Sequence, residues 1–427
     1  LKKQQKLSGW ANFPVIEATV SAPVNHVAAR QDVLENDRII ARGNGMSYGD
    51  AAIGRYVMST LKLNQLLSFN ATEGIIECEA GVLLSDLLPT IIPQGWFFEV
   101  TPGIKHITVG GAIASDVHGK NHPAKGCFSN WLISFQLMTA DGEILTCSRE
   151  QNTALFWQTC GGMGWTGVIL SARFQLMRIR STQMQQNTIR CQNLEAIFST
   201  FEDLHQASYA AGWLDTTAAG ANFGRGAVHL AEHLDNGALP LTWREKKARN
   251  IPLFAPSWLL NPLSIRAFNV LYFSKNRTEE KIVDMDDYFY PLDALKNWNR
   301  LYGHRGFVQY QFCLPEKMAF DGIRQLMEMV RKSPETPFLS VLKRHGERSA
   351  AAINTFPIKG YSLALDFPRT RTIVDLVKKL DELVWKFDGK IYLTKDACSA
   401  PKMGRVNPAD FEATKFWSAL RDRISKH

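Results

Sequence analysis

Three glycine-bearing stretches and one lysine are the parts of this sequence able to do chemistry. The longest stretch runs from Pro102 to Gly119 and sets Gly103, the pair Gly110-Gly111 and several polar groups into an otherwise apolar run, with His118, Lys120 and His122 at or just past its end. Small residues let a backbone approach something flat or bulky, and adjacent glycines free peptide N–H groups to point at an anion. A packed turn is the plainer account of a lone Gly-Gly; this run is longer and more polar than a turn requires. The second stretch, Arg42-Gly43-Asn44-Gly45-Met46-Ser47-Tyr48-Gly49-Asp50, follows the strand-like Arg38 to Arg42 and has the makings of a phosphate cradle. Tyr48 occupies the last glycine position of G-x-G-x-x-G and no helix opens there, so the nicotinamide-dinucleotide fingerprint fails. The third, Gly162-Met163-Gly164-Trp165-Thr166-Gly167, matches the pattern, but a helical segment (Thr153 to Cys160) precedes it and an alternating strand follows, with Val168, Leu170, Ala172, Phe174 and Leu176 on one face. That order is reversed for dinucleotide binding, which leaves a glycine loop available to another ligand.

The lysine is Lys395. Ile391 to Asp396 reads as a strand in which Lys395 shares its face with Ile391 and Leu393, and a charge on an apolar face is uncommon unless paired or employed. Strand neighbours point apart, so Asp396 is not its partner. A lysine at a strand end reaching solvent explains the segment equally well. Three further strands carry polar groups on one face: Gln309 and Gln311, then Lys343 at the end of Phe338 to Lys343, then Ser362, Ala364 and Asp366. Two glutamines on one face suit a hydroxyl-rich ligand, and an exposed face accounts for them as well.

The elements that position these groups are short strands, with helices expected at Val82 to Ile92 and Ile373 to Phe387, the latter closed by Gly389. Asp141-Gly142 reads as a hairpin turn, and the character of the chain changes near Arg180. With 427 residues, two or three domains are expected. A hydrophobic content of 45% against 21% charged residues is that of a folded globular protein. The formal charge of +8 would suit an anionic partner, but the basic residues are dispersed and no nucleic-acid motif accompanies them. Seven dispersed cysteines without a C-x-x-C pair argue against a disulfide framework or a metal site and for a reducing, cytoplasmic setting. The first residues lack the apolar core of a signal peptide, and no apolar run is long enough to span a bilayer. From Trp243 to Leu263 a basic run leads into an apolar, proline-broken segment. A solvated charge run beside a buried loop explains it, as does a flap resting on a membrane surface or closing over a greasy substrate.

The first two glycine stretches resemble the FAD-binding, PCMH-type fold of the vanillyl-alcohol oxidase superfamily, and within it the decaprenylphosphoryl-β-D-ribose 2′-oxidase family. Phe156-Trp157 with the third loop, Trp298-Asn299-Arg300, Gln309 to Phe312, Leu365-Asp366-Phe367-Pro368 and Thr394-Lys395-Asp396 extend the likeness in the same order along most of the chain. The resemblance implies an α+β, two-domain architecture: an FAD-binding domain over residues 1–179, an inserted antiparallel-sheet substrate domain over 180–390, and a return to the first domain over 391–427. It implies that Arg42, Gly43, Asn44, Gly45, Met46, Ser47 and Tyr48 wrap the pyrophosphate of FAD. Gly103, Thr108, Val109, Gly110, Gly111, Ser115, His118, Gly119, Asn121 and His122 would line the path from adenine to ribityl. Gly162, Gly164, Thr166, Gly167 and Ile169 would complete the cradle.

It also implies an oxidoreductase that moves a carbinol hydride of a sugar to flavin N5, with Lys395 at the reacting hydroxyl. Tyr48 and His118 would assist, and Gln309, Gln311, Lys343, Ser362 and Asp366 would hold a sugar that can be a lipid-linked sugar phosphate. A separate NAD(P)H-dependent keto-reductase would complete an epimerisation, and a cytoplasmic protein in peripheral contact with the inner membrane face through Trp243 to Leu263 would suit a lipid-linked substrate. Two departures stand out. Met46 replaces the histidine that tethers flavin in many superfamily members, which implies FAD held without a covalent bond; the family's active-site cysteine falls on Ala364. A sugar-1,4-lactone oxidase of the arabinono- or gulono-lactone type is the alternative, ahead of a nicotinamide dehydrogenase or a non-catalytic binding protein.

Overall fold

The computed structural model describes residues 2–256, 258–349, 351–399 and 414–425. It is an α+β architecture built on three main sheets. The first holds Lys3–Ser8, Val15–Ser21, Tyr56–Ser59 and Ile40–Arg42 in that spatial order, with the first pair antiparallel and the rest parallel. Near the chain end, Phe416 bridges Ile39, and the helix Ala419–Ile424 packs Leu420 and Ile424 beside Ile40, Val57 and Trp165.

The second sheet runs Leu66–Asn70, Ile75–Glu79, Val168–Arg178, Leu132–Met138 and Ile144–Ser148, and Trp96–Phe98 also pairs with Val168–Arg178. The alternation from Val168 to Leu176 predicts one buried face. The structure divides it: an extra residue at Leu170 shifts the register against Leu132–Met138. A bulge of this kind bends and re-aims a strand. Val168 and Leu170 pack with Ile39 and Met58, while Ala172, Phe174 and Leu176 join the core around the helices Leu84–Ile91 and Val109–Ala114.

The third sheet is antiparallel throughout. Its order is Glu279–Asp284, Gln183–Cys191, Gly226–His233, Tyr209–Leu214, Leu339–His345, Gly360–Pro368, Phe307–Pro315 and Lys390–Ile391. The helices Leu194–Asp203, Glu316–Lys332 and Ile373–Lys386 cover one face. Strand periodicity then decides where the polar groups go. In Phe307–Pro315, Val308, Tyr310, Phe312 and Leu314 join the helix-side core, which turns Gln309 and Gln311 to the other side. In Gly360–Pro368, Tyr361, Leu363, Leu365 and Phe367 do the same and turn Ser362 and Ala364 the opposite way. Register sets Lys343 opposite Ser362, and Gln311 opposite Ala364.

Candidate active site

A cavity of about 500 Å³ lies where the helix-free face of the third sheet meets the three glycine stretches. The first loop leaves the strand Ile40–Arg42, and Gly43 through Ser47 all line the cavity. Among the described residues, none of their five peptide N–H groups meets a protein acceptor, and the buried Ser47 Oγ has no partner. Asn44 Nδ2 donates to His106 O at 2.8 Å and so fixes this loop to the second stretch. Consecutive unpaired backbone donors form an anion-binding concavity, so the loop fits the pyrophosphate of FAD. Gly103 fits the same group: a Cβ there would meet only open space, which a flat ligand can use.

The second stretch differs from expectation in one respect. Gly110 N donates to Ala80 O at 2.8 Å and Gly111 N to Thr108 Oγ1 at 3.1 Å, so neither N–H is free for an anion. The need for glycine at 110 is steric, since a Cβ would lie 2.9 Å from Ala80 Cβ. The unpaired N–H donors are therefore those of the first loop, and the second supplies a wall of small residues.

Lys395 is also placed differently from its strand reading. The strand ends at Ile391, and Leu393 to Lys395 form a turn closed by Lys395 N to Tyr392 O at 2.9 Å. The turn is locked to the first loop: Tyr48 N donates to Thr394 O at 3.1 Å, and a Cβ on Gly49 would lie 1.5 Å from Asp396 O. Asp396 is turned away onto Arg423 at 2.8 Å. Lys395 Nζ lies 3.4 Å from the centroid of the Tyr48 ring and faces the same cavity as the free N–H groups.

Cations gather around this space. Burial lowers the pKa of Lys395 against the opposing pull of Asp366, while burial raises that of Asp366, whose carboxylate accepts from Gln309 Nε2. Burial alone brings Lys343 down to about 8. Lys120, also in the wall, is brought to about 7 by burial and then by Lys343; its Nζ donates to Tyr288 O. His118 is held well below its ordinary value by burial, then by Lys343, His122 and Lys395, and is therefore neutral. Its Nε2 lies 3.4 Å from Gln311 Nε2, and its buried Nδ1 has no partner among the described residues.

Of the residues singled out from sequence, Tyr48, Thr108, Ser115, His118, Gly164, Gly167, Ile169, Gln309, Gln311, Lys343, Ser362 and Lys395 also line the cavity. Eight others do not face it. Arg42 donates to Ser8 O and Ala52 O and anchors the first loop from behind. Val109 and Gly119 are buried, and Asn121 Nδ2 holds Glu99 O at 2.8 Å. His122 packs edge-on to His345 with ring centroids 4.7 Å apart. Gly162 N bonds Thr159 O, Thr166 Oγ1 lies 2.9 Å from Thr159 Oγ1, and Asp366 sits behind Gln309. Sequence reasoning missed one side of the cavity, made by Trp213, His229, Phe268 and Tyr272. The Trp243–Leu263 segment is anchored more firmly than a free flap: Trp243 lies over Lys105 Nζ at 5.4 Å, and Phe254 stacks on His304 at 4.1 Å.

Comparison with known proteins agrees with this geometry. Residues 20–148 match the family model described as FAD binding domain. The chain is 31% identical over 411 residues to decaprenylphosphoryl-beta-D-ribose oxidase of Mycolicibacterium smegmatis, covering 92% of this chain and 89% of that protein. An uncharacterised protein of Streptomyces coelicolor is also 31% identical, over 75% of this chain and 91% of its own length. The likeness to mouse L-gulonolactone oxidase, again 31%, covers 33% of this chain and 32% of that enzyme.

Proposed function

The chain belongs to the family of FAD-binding oxidoreductases that includes decaprenylphosphoryl-β-D-ribose oxidase, and from that premise we propose that it oxidises a secondary hydroxyl of a phosphate-linked sugar, a lipid-linked ribosyl phosphate being the best fit. FAD, when bound, supplies the acceptor for the carbinol hydride. The rest falls to the chain's own residues. The N–H groups of residues 43–47 hold the pyrophosphate. Lys395 Nζ accepts the hydroxyl proton, a role open to a lysine whose pKa burial has lowered. The Tyr48 ring beneath it stabilises the ammonium that results. With its amide engaged by Asp366, Gln309 offers its carbonyl oxygen to a sugar hydroxyl, and Gln311 orients another. Lys343, half-buried in the cavity wall and without a compensating carboxylate among the described residues, takes the phosphate, with Lys120 nearby.

The observation that carries this reading is the meeting of Lys395 Nζ and five unpaired N–H donors, some 350 residues apart in sequence, in one cavity. A lactone substrate is less favoured, because likeness to the gulonolactone enzyme spans only a third of the chain. Anaerobic mixing with a short polyprenylphosphoryl ribose should bleach the flavin absorbance. Bleaching by gulono-1,4-lactone and not by the phosphoribosyl compound would overturn the substrate class. Met46 and the lack of a cysteine among the described lining residues lead us to expect non-covalent FAD: acid precipitation should leave a yellow supernatant. A separate NAD(P)H-dependent keto-reductase would act on the keto sugar released.

A further inference from the structure

The helix Pro262–Lys275 is apolar on two opposite sides. Its inner side buries Ile265 and turns Phe268 and Tyr272 into the cavity. On its outer side Leu263, Ala267, Val270 and Leu271 fall at the spacing of one helical stripe, with Leu263 79% and Leu271 62% exposed. The side of a surface helix that faces away from the core is ordinarily polar, yet among the described residues nothing covers this outer apolar stripe. Leu253 and Trp258, in the segment leading to the helix, are 77% and 71% exposed.

The stretch of sequence that carries the stripe is predominantly basic up to Arg277, beyond which the exposed Glu279 and Glu280 follow. From residue 243 to 277 the cations Arg244, Lys246, Lys247 and Arg249, then Arg266, Lys275 and Arg277, stand against a single acid, Glu245. Lys246 is drawn to Asp287 at 2.6 Å; the other six are exposed. By helical spacing Arg266 and Lys275 flank the stripe on its two sides.

We propose that the outer face of Pro262–Lys275, with Leu253 and Trp258, docks on an anionic lipid surface. Exposed aliphatic residues flanked by Arg266 and Lys275, with an exposed tryptophan in the basic stretch leading to them, are what a bilayer interface with negative headgroups accommodates. A second copy of the chain would bring like charge against like charge. If the substrate reading above holds, a further consequence follows: one helix separates the bilayer from the cavity, and a lipid-linked sugar reaches Lys395 while its tail stays in the membrane.

The test is sedimentation of the full chain with phosphatidylcholine vesicles, with and without phosphatidylglycerol, and vesicle binding is read without turnover. The protein should pellet with the anionic vesicles, and binding should weaken as salt rises. The double variant Leu263→Asp, Leu271→Asp should weaken partitioning by at least about tenfold while keeping its flavin spectrum and melting temperature. Arg249→Glu with Arg266→Glu should remove the preference for anionic lipid. Wild-type protein that stays in the supernatant, or that binds neutral and anionic vesicles alike, overturns the proposal. So does an Asp double variant that binds like wild type, or a dimer in vesicle-free solution that this variant dissolves.

Discussion

Arg423 and Lys395 lie on either side of Asp396, and the fold treats them in opposite ways. The Arg423 guanidinium meets Asp50 at 2.9 and 3.0 Å, Asp396 at 2.8 Å and Ser399 O at 2.7 Å. Burial works against its charge, but the two carboxylates more than restore it and raise its pKa above the ordinary value. Lys395 rests on the face of Tyr48, feels Asp366 only from beyond ion-pair distance, and is pulled down by burial. Lys343 is in the same position without even that carboxylate. A buried cation saturated with partners fixes geometry; one left without them can hand over a proton or take an anion.

Removing each cation tests that contrast. Lys395→Met should slow substrate-driven flavin bleaching by about 10³-fold while FAD stays bound, read by anaerobic stopped flow; near wild-type bleaching would dissolve the distinction. Arg423→Ala strands two buried carboxylates and should cost about 3–5 kcal/mol in urea denaturation, with Arg423→Lys losing less because it keeps the charge without the fork.

Lys343→Met should act with the opposite sign, stabilising the free protein by up to about 3 kcal/mol while raising KM for the phosphorylated substrate. The pH dependence follows. The folded pKa of Lys343 is lowered from 10.5 to about 8, so between those values the unfolded chain binds the extra proton. Stability then rises with pH across that window, and the variant should flatten the rise.

The smallest effect lies at the acid end. Burial opposes ionisation of Asp396, yet Arg423 and the N–H groups of Cys398 and Ser399 hold its pKa below the ordinary value. The stability it contributes is complete above about pH 4 and is lost as pH falls through its lower folded pKa. Melting curves of Asp396→Asn should lose that part of the acid limb.

The sequence made the glycine stretches and the polar faces of the third sheet legible because both are local. Alternation in Phe307–Pro315 and Gly360–Pro368 needs only the strand period, and it brought Gln309, Gln311 and Ser362 to the cavity. Elsewhere local patterns were insufficient. Gly110-Gly111 looks the same whether its N–H groups are free or taken by Ala80 and Thr108. The bulge at Leu170 leaves no mark in the alternation of Val168 to Leu176. Lys395 reached the cavity through a turn, not the strand expected of it. Trp213, His229 and Tyr272 join the wall through pairing across the third sheet and a helix above it, which residue type alone does not encode. The Arg423–Asp50 pair spans 373 positions, and nothing near either residue announces the other.

The bare-backbone contact of Gly49 with Asp396 has a consequence in time. The loop of residues 43–49 cannot receive Lys395 until some 350 further residues have been made, and joining such distant segments is entropically slow. Until then the loop stands without the base that the function proposed above assigns to Lys395.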